Sequence, residues 1–96
     1  MNKRRVVVTG LGMTTPVGNN VSETWKNILE GKSGISLIEH FDTSDFSVRI
    51  GGSIKNLSLD KYITKKEQRR MDPFIHYGIP AGVQAIEDSG LDVSHN

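Results

Sequence analysis

The chain contains no cysteine. That absence removes disulfides, cysteine-ligated zinc and any thiol nucleophile of its own. No charge sign dominates either: 12 Lys and Arg stand against 11 Asp and Glu, a net charge of +1. The chain as a whole is therefore neither a polycation for nucleic acid nor an acidic tail. Long apolar runs are missing too. MNKRRVVVTGLG starts basic, but its apolar run stops at Thr9 and Gly10 after three valines, too short for a signal peptide. No run approaches a membrane span. These absences point to a soluble, cytoplasmic protein without membrane contact, in which the sequons Asn20-Val21-Ser22 and Asn56-Leu57-Ser58 are chance matches.

What is present is a modest apolar share of 35%, a mean hydropathy of −0.36 and 10 glycines that gather near expected turns. Ninety-six residues suffice for one small domain and not for two. Val6, Val7 and Val8 form a β-branched run whose continuous apolarity predicts a strand covered on both faces. Gly10-Leu11-Gly12 and Pro16-Val17-Gly18-Asn19 then mark turns. Asn20 with Glu23 three residues on resembles a capping box, and Val21, Trp25, Ile28 and Leu29 share one face of the helix it opens. Gly31 is the expected C′ residue. Residues 32–60 are irregular, with a turn at Phe41-Asp42-Thr43-Ser44, a short strand within Val48 to Ile54 and a single turn from Asp60 to Ile63.

Thr64 and Glu67 form a second capping box ahead of a short basic helix. Asp72 and Pro73 are the N-cap and N1 of a further helix ending at Ser89, with Gly90 behind it. Its apolar residues Phe74, Ile75, Ile79, Val83, Ala85 and Ile86 spread around the circumference, which predicts a buried helix. Gly78 and Gly82 would let another helix approach, and Pro80 should kink the helix near His76. A two-sided strand and an all-round apolar helix both require partners. Two helices and one or two strands cannot supply them, so the fold is α/β and partial.

The chemical motifs are weak. Gly10, Gly12 and Thr15 fill the G-x-G-x-x-G positions, but Thr15 replaces the last glycine and the helix starts about five residues late for a dinucleotide site. Gly31-Lys32-Ser33 resembles the end of a P-loop, yet Lys26 stands where its first glycine belongs, and the triplet follows a helix. His40, His76 and His95 are each alone, which gives no metal site. Asp42 with Asp45, and Glu87 with Asp88, are plainer as solvated charges than as acid–base pairs. One charge feature stands out: Lys61, Lys65, Lys66, Arg69 and Arg70 are five positives in ten residues, opposed within them by Glu67 alone. Lys66, Arg69 and Arg70 fall at spacings of three and four and share a helical face. That is either a solvated face or a docking patch for an acidic partner or phosphate. Nucleic acid fits poorly, since only Tyr62 interleaves the patch.

RRVVVTGLGMTTPVGN, LEGKSGIS, FDTSDF, KKEQRRMDPFIHYG and AIEDSGLD, in that order, resemble the start of the bacterial β-ketoacyl-acyl-carrier-protein synthase II family, the elongating condensing enzymes of fatty acid synthesis. The resemblance runs from Lys3 to Asp92. It implies a thiolase-like fold, in which two related halves stack helix, sheet, helix, sheet and helix layers, and of which this chain would be the amino-terminal part of the first half. A mixed sheet covered by helices is expected. The resemblance further implies a homodimer that loads an acyl chain on a cysteine, decarboxylates malonyl carrier protein and joins the two by Claisen condensation, with two assisting histidines and no cofactor. The cysteine and both histidines of the family lie downstream of this region, and His40, His76 and His95 do not correspond to them. Residues 1–96 are thus expected to be an amino-terminal fragment, not a complete domain, and inactive alone. Lys66, Arg69 and Arg70 match positions where family members contact the acidic carrier protein, in agreement with the charge pattern. A non-catalytic module that binds acyl carrier protein is the alternative, and a nicotinamide-dependent Rossmann enzyme a more distant one.

Overall fold

A computed structural model describes residues 3–92, in the order α1 (Val21–Leu29), β1 (Ile35–Leu37), β2 (Ile50–Gly52), α2 (Lys65–Gln68) and α3 (Pro73–Ser89). The helix ends sit where their capping chemistry puts them. Asn20 accepts the Glu23 amide through Oδ1 at 2.8 Å, and Gly31 follows the helix with φ 73°. That left-handed conformation suits glycine, which has no Cβ to clash. Asp72 stands at the N-cap of α3 without a side-chain capping bond, Pro73 is the first helical residue, and Gly90 ends the helix with φ 71°. Pro80 does not interrupt α3; its ring is fully buried.

The amino-terminal limb lies directly on α3. A Cβ at Gly10 would stand 2.1 Å from the Ala85 carbonyl oxygen, and one at Gly12 would stand 1.9 Å from that of Ala81. Only glycine permits this approach. The limb is then stitched to the helix by polar side chains. The Leu11 amide donates to Asp88 Oδ2 at 3.0 Å and the Met13 amide to Gln84 Oε1 at 3.1 Å. Alternate amides facing one side is the pattern of an extended backbone. Gln84 also donates through Nε2 to the Asn19 carbonyl at 2.7 Å, so one amide side chain spans the whole turn.

The turn itself is closed by paired backbone bonds between Thr15 and Gly18. Thr15 Oγ1 accepts the Val17 amide and lies 3.1 Å from Oγ1 of Thr24, a buried residue of α1. A Cβ at Gly18 would meet the Thr24 amide at 2.5 Å, so the turn seats against the first turns of α1. Pro16 in turn lies over the hairpin, within 2.5 Å of where Gly34 would carry a Cβ.

The sheet differs from expectation. Among the described residues it is one antiparallel pair, Ile35 opposite Gly52, Ser36 opposite Gly51 and Leu37 opposite Ile50. No parallel strand joins it, so the mixed sheet under helices is not formed within these residues. Val6–Val8 has no strand to pair with and is exposed, Val6 to 88%. The expected burial of α3 is likewise not met, since Phe74, Tyr77 and Ile86 are exposed and no Cβ at Gly78 or Gly82 would touch a neighbour. The apolar face of α1, with Trp25, Ile28 and Leu29, is exposed as well. The physical reason is a shortage of covering elements. The chain's accessible surface is 7958 Å², against about 5,500 Å² for a compact monomer of its mass. Its radius of gyration is 17.1 Å, where a compact chain of this length has about 13 Å.

Candidate functional site

The basic segment is too short to organise itself. Four residues of α2 make barely one turn, and an isolated turn of helix is unstable because nucleation costs more than its first bonds return. External ties therefore hold it. Upstream, the amides of Tyr62 and Ile63 both donate to the Leu59 carbonyl, forming the expected single turn, and Ile63 is a buried apolar anchor, 3% exposed. Thr64 caps α2 by accepting the Glu67 amide at 3.3 Å. Gln68 then returns to that anchor: its Nε2 donates to the Ile63 carbonyl at 2.8 Å and to Asp60 Oδ1 at 3.2 Å. From the far side, His76 on α3 places Nε2 2.9 Å from the Gln68 carbonyl.

This scaffold presents the cations outward. Lys61, Lys65, Lys66, Arg69 and Arg70 are all exposed. The structure keeps Lys66, Arg69 and Arg70 together, but not on one regular helix. Regular α2 ends at Gln68, Arg69 is its C-cap with φ −70° and ψ −19°, and the Arg70 amide bonds back to Glu67, a tightened last turn. Among the described residues the one ion pair is Lys32 with Glu30 at 3.1 Å, so no carboxylate neutralises Lys66, Arg69 or Arg70 there. Lys61 lies over the neighbouring Tyr62 ring, 5.4 Å from its centroid. A group of exposed, unpaired cations on a fixed frame attracts an anionic surface over a screening length of about 10 Å at 0.1 M salt.

Other sequence candidates do not assemble. Lys32, in the triplet resembling a P-loop, is paired with Glu30. At the glycine turn the Met13 amide is taken by Gln84 and the Val17 amide by Thr15, and Asp88 sets a carboxylate, repulsive to phosphate, at the Leu11 amide. Asp88 is thus not simply a solvated charge. His40 stacks edge-on against Phe41, and His95 lies outside the described residues. The Ser44 backbone and side chain hold the exposed Asp42 carboxyl below its ordinary pKa, and the Ser44 amide donates to it at 2.9 Å. Among the described residues no three His, Asp or Glu side chains gather as a metal site, and no helix is long and apolar enough to cross a membrane. Gln68 and His76 are the members of the site that sequence reading missed. They are eight positions apart, across the Asp72-Pro73 break, and nothing local links them.

Residues 3–96 match the family described as β-ketoacyl synthase, N-terminal domain. The chain is 58% identical over 94 residues to 3-oxoacyl-(acyl-carrier-protein) synthase 2 of Vibrio cholerae serotype O1, covering 98% of this chain and 23% of that protein. It is 56% identical, with the same coverage, to the protein of the same name from Vibrio harveyi. Against that of Staphylococcus aureus strain COL it is 45% identical over 93 residues, 97% of this chain and 22% of that one. Among solved structures it superposes on the ishigamide ketosynthase/chain length factor with a TM-score of 0.81 and 26% identity, covering 97% of this chain and 23% of the other. The chain therefore spans about a quarter of the length of the curated relatives it matches.

Proposed function

Because the chain belongs to the β-ketoacyl synthase family, matching its N-terminal domain, we propose that it is the amino-terminal part of a 3-oxoacyl-(acyl-carrier-protein) synthase II that elongates fatty acids by decarboxylative Claisen condensation. In this reading residues 1–96 are not a complete domain of the thiolase-like fold. The uncovered surface supports this: Val6–Val8, the outer face of α3 and the apolar face of α1 await elements from the remaining three quarters of the enzyme. Those elements also bring the nucleophilic cysteine and two histidines that condensation requires, and the enzyme works as a cytoplasmic homodimer.

The segment's own contribution is docking. Lys66, Arg69 and Arg70, with Lys61 and Lys65 beside them, receive the acidic acyl carrier protein. The observation that carries this is the group of exposed cations without carboxylate partners among the described residues. Electrostatic complementarity of this kind speeds encounter and fixes orientation. It suits an enzyme that must meet a loaded carrier, release it and meet another. A stand-alone carrier-binding module is less consistent with an accessible surface so far above that of a compact chain. Steady-state condensation between an acyl group and malonyl carrier protein is the test. The synthase that carries this segment condenses them and the isolated 96 residues do not; condensation by the isolated chain contradicts the reading.

A further inference from the structure

We propose that His76 is a positioning residue for the basic docking segment, acting through the peptide carbonyl of Gln68; this rests on the docking role of Lys66, Arg69 and Arg70. A carbonyl oxygen can only accept, so the 2.9 Å contact requires a proton on His76 Nε2. Both the Nε2–H tautomer and the imidazolium meet that requirement. The peptide between Gln68 and Arg69 is planar, so fixing the direction of the Gln68 carbonyl also fixes the direction of the Arg69 amide. The helix does this weakly at that point: the Arg69 amide reaches the Lys65 carbonyl at 3.4 Å, against 2.9 Å for the preceding bond from Gln68 to Thr64. Without another tie, the last turn of a four-residue helix frays. His76 supplies the tie from the first turns of α3, while the Gln68 side chain is held by Ile63 and Asp60. Gln68 is thus gripped from both sides, and Arg69 and Arg70 leave it in a set direction. His76 itself is half-buried.

The same contact makes a specific demand on substitutions. Glutamine can present an amide N–H near the place of Nε2. Phenylalanine keeps a ring but has no donor, and asparagine is one methylene too short to reach. The experiment measures binding of acyl-loaded carrier protein to the intact synthase across a salt series, for His76→Phe, His76→Asn and His76→Gln beside the charge-removing variant Lys66→Ala/Arg69→Ala/Arg70→Ala. His76→Phe and His76→Asn are expected to weaken binding about three- to tenfold, the loss of one hydrogen bond. Their dependence on salt should keep its wild-type slope, because no cation is removed, and His76→Gln should bind within about twofold of wild type on the same scale. The triple variant should bind weakly and lose salt dependence. Wild-type binding by His76→Phe or His76→Asn alongside a weakened triple variant overturns the positioning role and leaves docking intact. Equal weakness of His76→Gln and His76→Phe overturns it too, since the donor would then not be what matters. An unaffected triple variant overturns the docking role itself. Should the phenylalanine variant fail to fold, the asparagine and glutamine pair decides.

Discussion

Two pairs of glycines in this chain have opposite surroundings. Gly10 and Gly12 lie against α3 so closely that a Cβ would fall on backbone oxygens at 2.1 and 1.9 Å. Gly78 and Gly82 lie on α3 itself, and a Cβ at either would meet nothing within 4 Å. Both pairs are spaced to admit a neighbouring backbone. For the first pair the neighbour belongs to the same chain; for the second, none of the described residues comes near. The difference shows that a glycine pair signals a close approach without saying whose backbone approaches. It also separates the finished part of this fold, the glycine limb on α3, from the part still open.

The comparison is most severely tested at Gly12. Gly12→Val would drive a side chain into the Ala81 carbonyl, backbone that cannot swing aside, and should cost at least the upper end of the about 1–3 kcal/mol typical of overpacking. A thermal midpoint of the synthase within a degree of wild type would refute the close contact. Next is Gln84→Leu, which strands the Met13 amide and the Asn19 carbonyl together. The first bond is open to water and the second part-buried, so each loss is that of an ordinary hydrogen bond, about 0.5–1.5 kcal/mol, and denaturant unfolding should show it as a lower midpoint with unchanged slope. The smallest effect sharpens the contrast most. In the 96-residue chain, Gly78→Ala should raise helicity, worth about 1 kcal/mol of helix propensity. On the proposed reading another element closes on that face in the intact synthase, and the same change should there lose that gain or become destabilising. Circular dichroism of the short chain and thermal melts of the long one provide the two readings. The same sign in both would mean the face stays open.

Much of this organisation is legible in the sequence, for local reasons. Asn20, Gly31, Pro73 and Gly90 mark helix ends because capping depends on residues within a few positions. The basic cluster is legible because charge density needs no folding to be counted. Ile35–Leu37 escaped notice because three residues show no period, and their partner, Ile50–Gly52, is set by a register that nothing in the neighbourhood encodes. The strand expected at Val6–Val8 and the burial expected of α3 are not met among the described residues, because apolar composition marks a surface that favours cover without supplying the element that covers it. The roles of Gln84, Asp88, Gln68 and His76 escaped for one shared reason. Each is a polar side chain bonded to backbone, and a backbone partner carries no residue-type signal for sequence reading to find.

In the proposed function this segment receives an acidic carrier through unpaired cations on a hydrogen-bonded base. Titration of acyl carrier protein against the synthase, at low and high salt, for wild type and for Lys66→Glu/Arg69→Glu/Arg70→Glu, tests it most directly. Wild-type binding should weaken steeply with salt, and the charge-reversed variant should bind at least about a hundredfold more weakly at low salt, with the gap narrowing as salt rises. Equal affinity of the two proteins at low salt would contradict the claim.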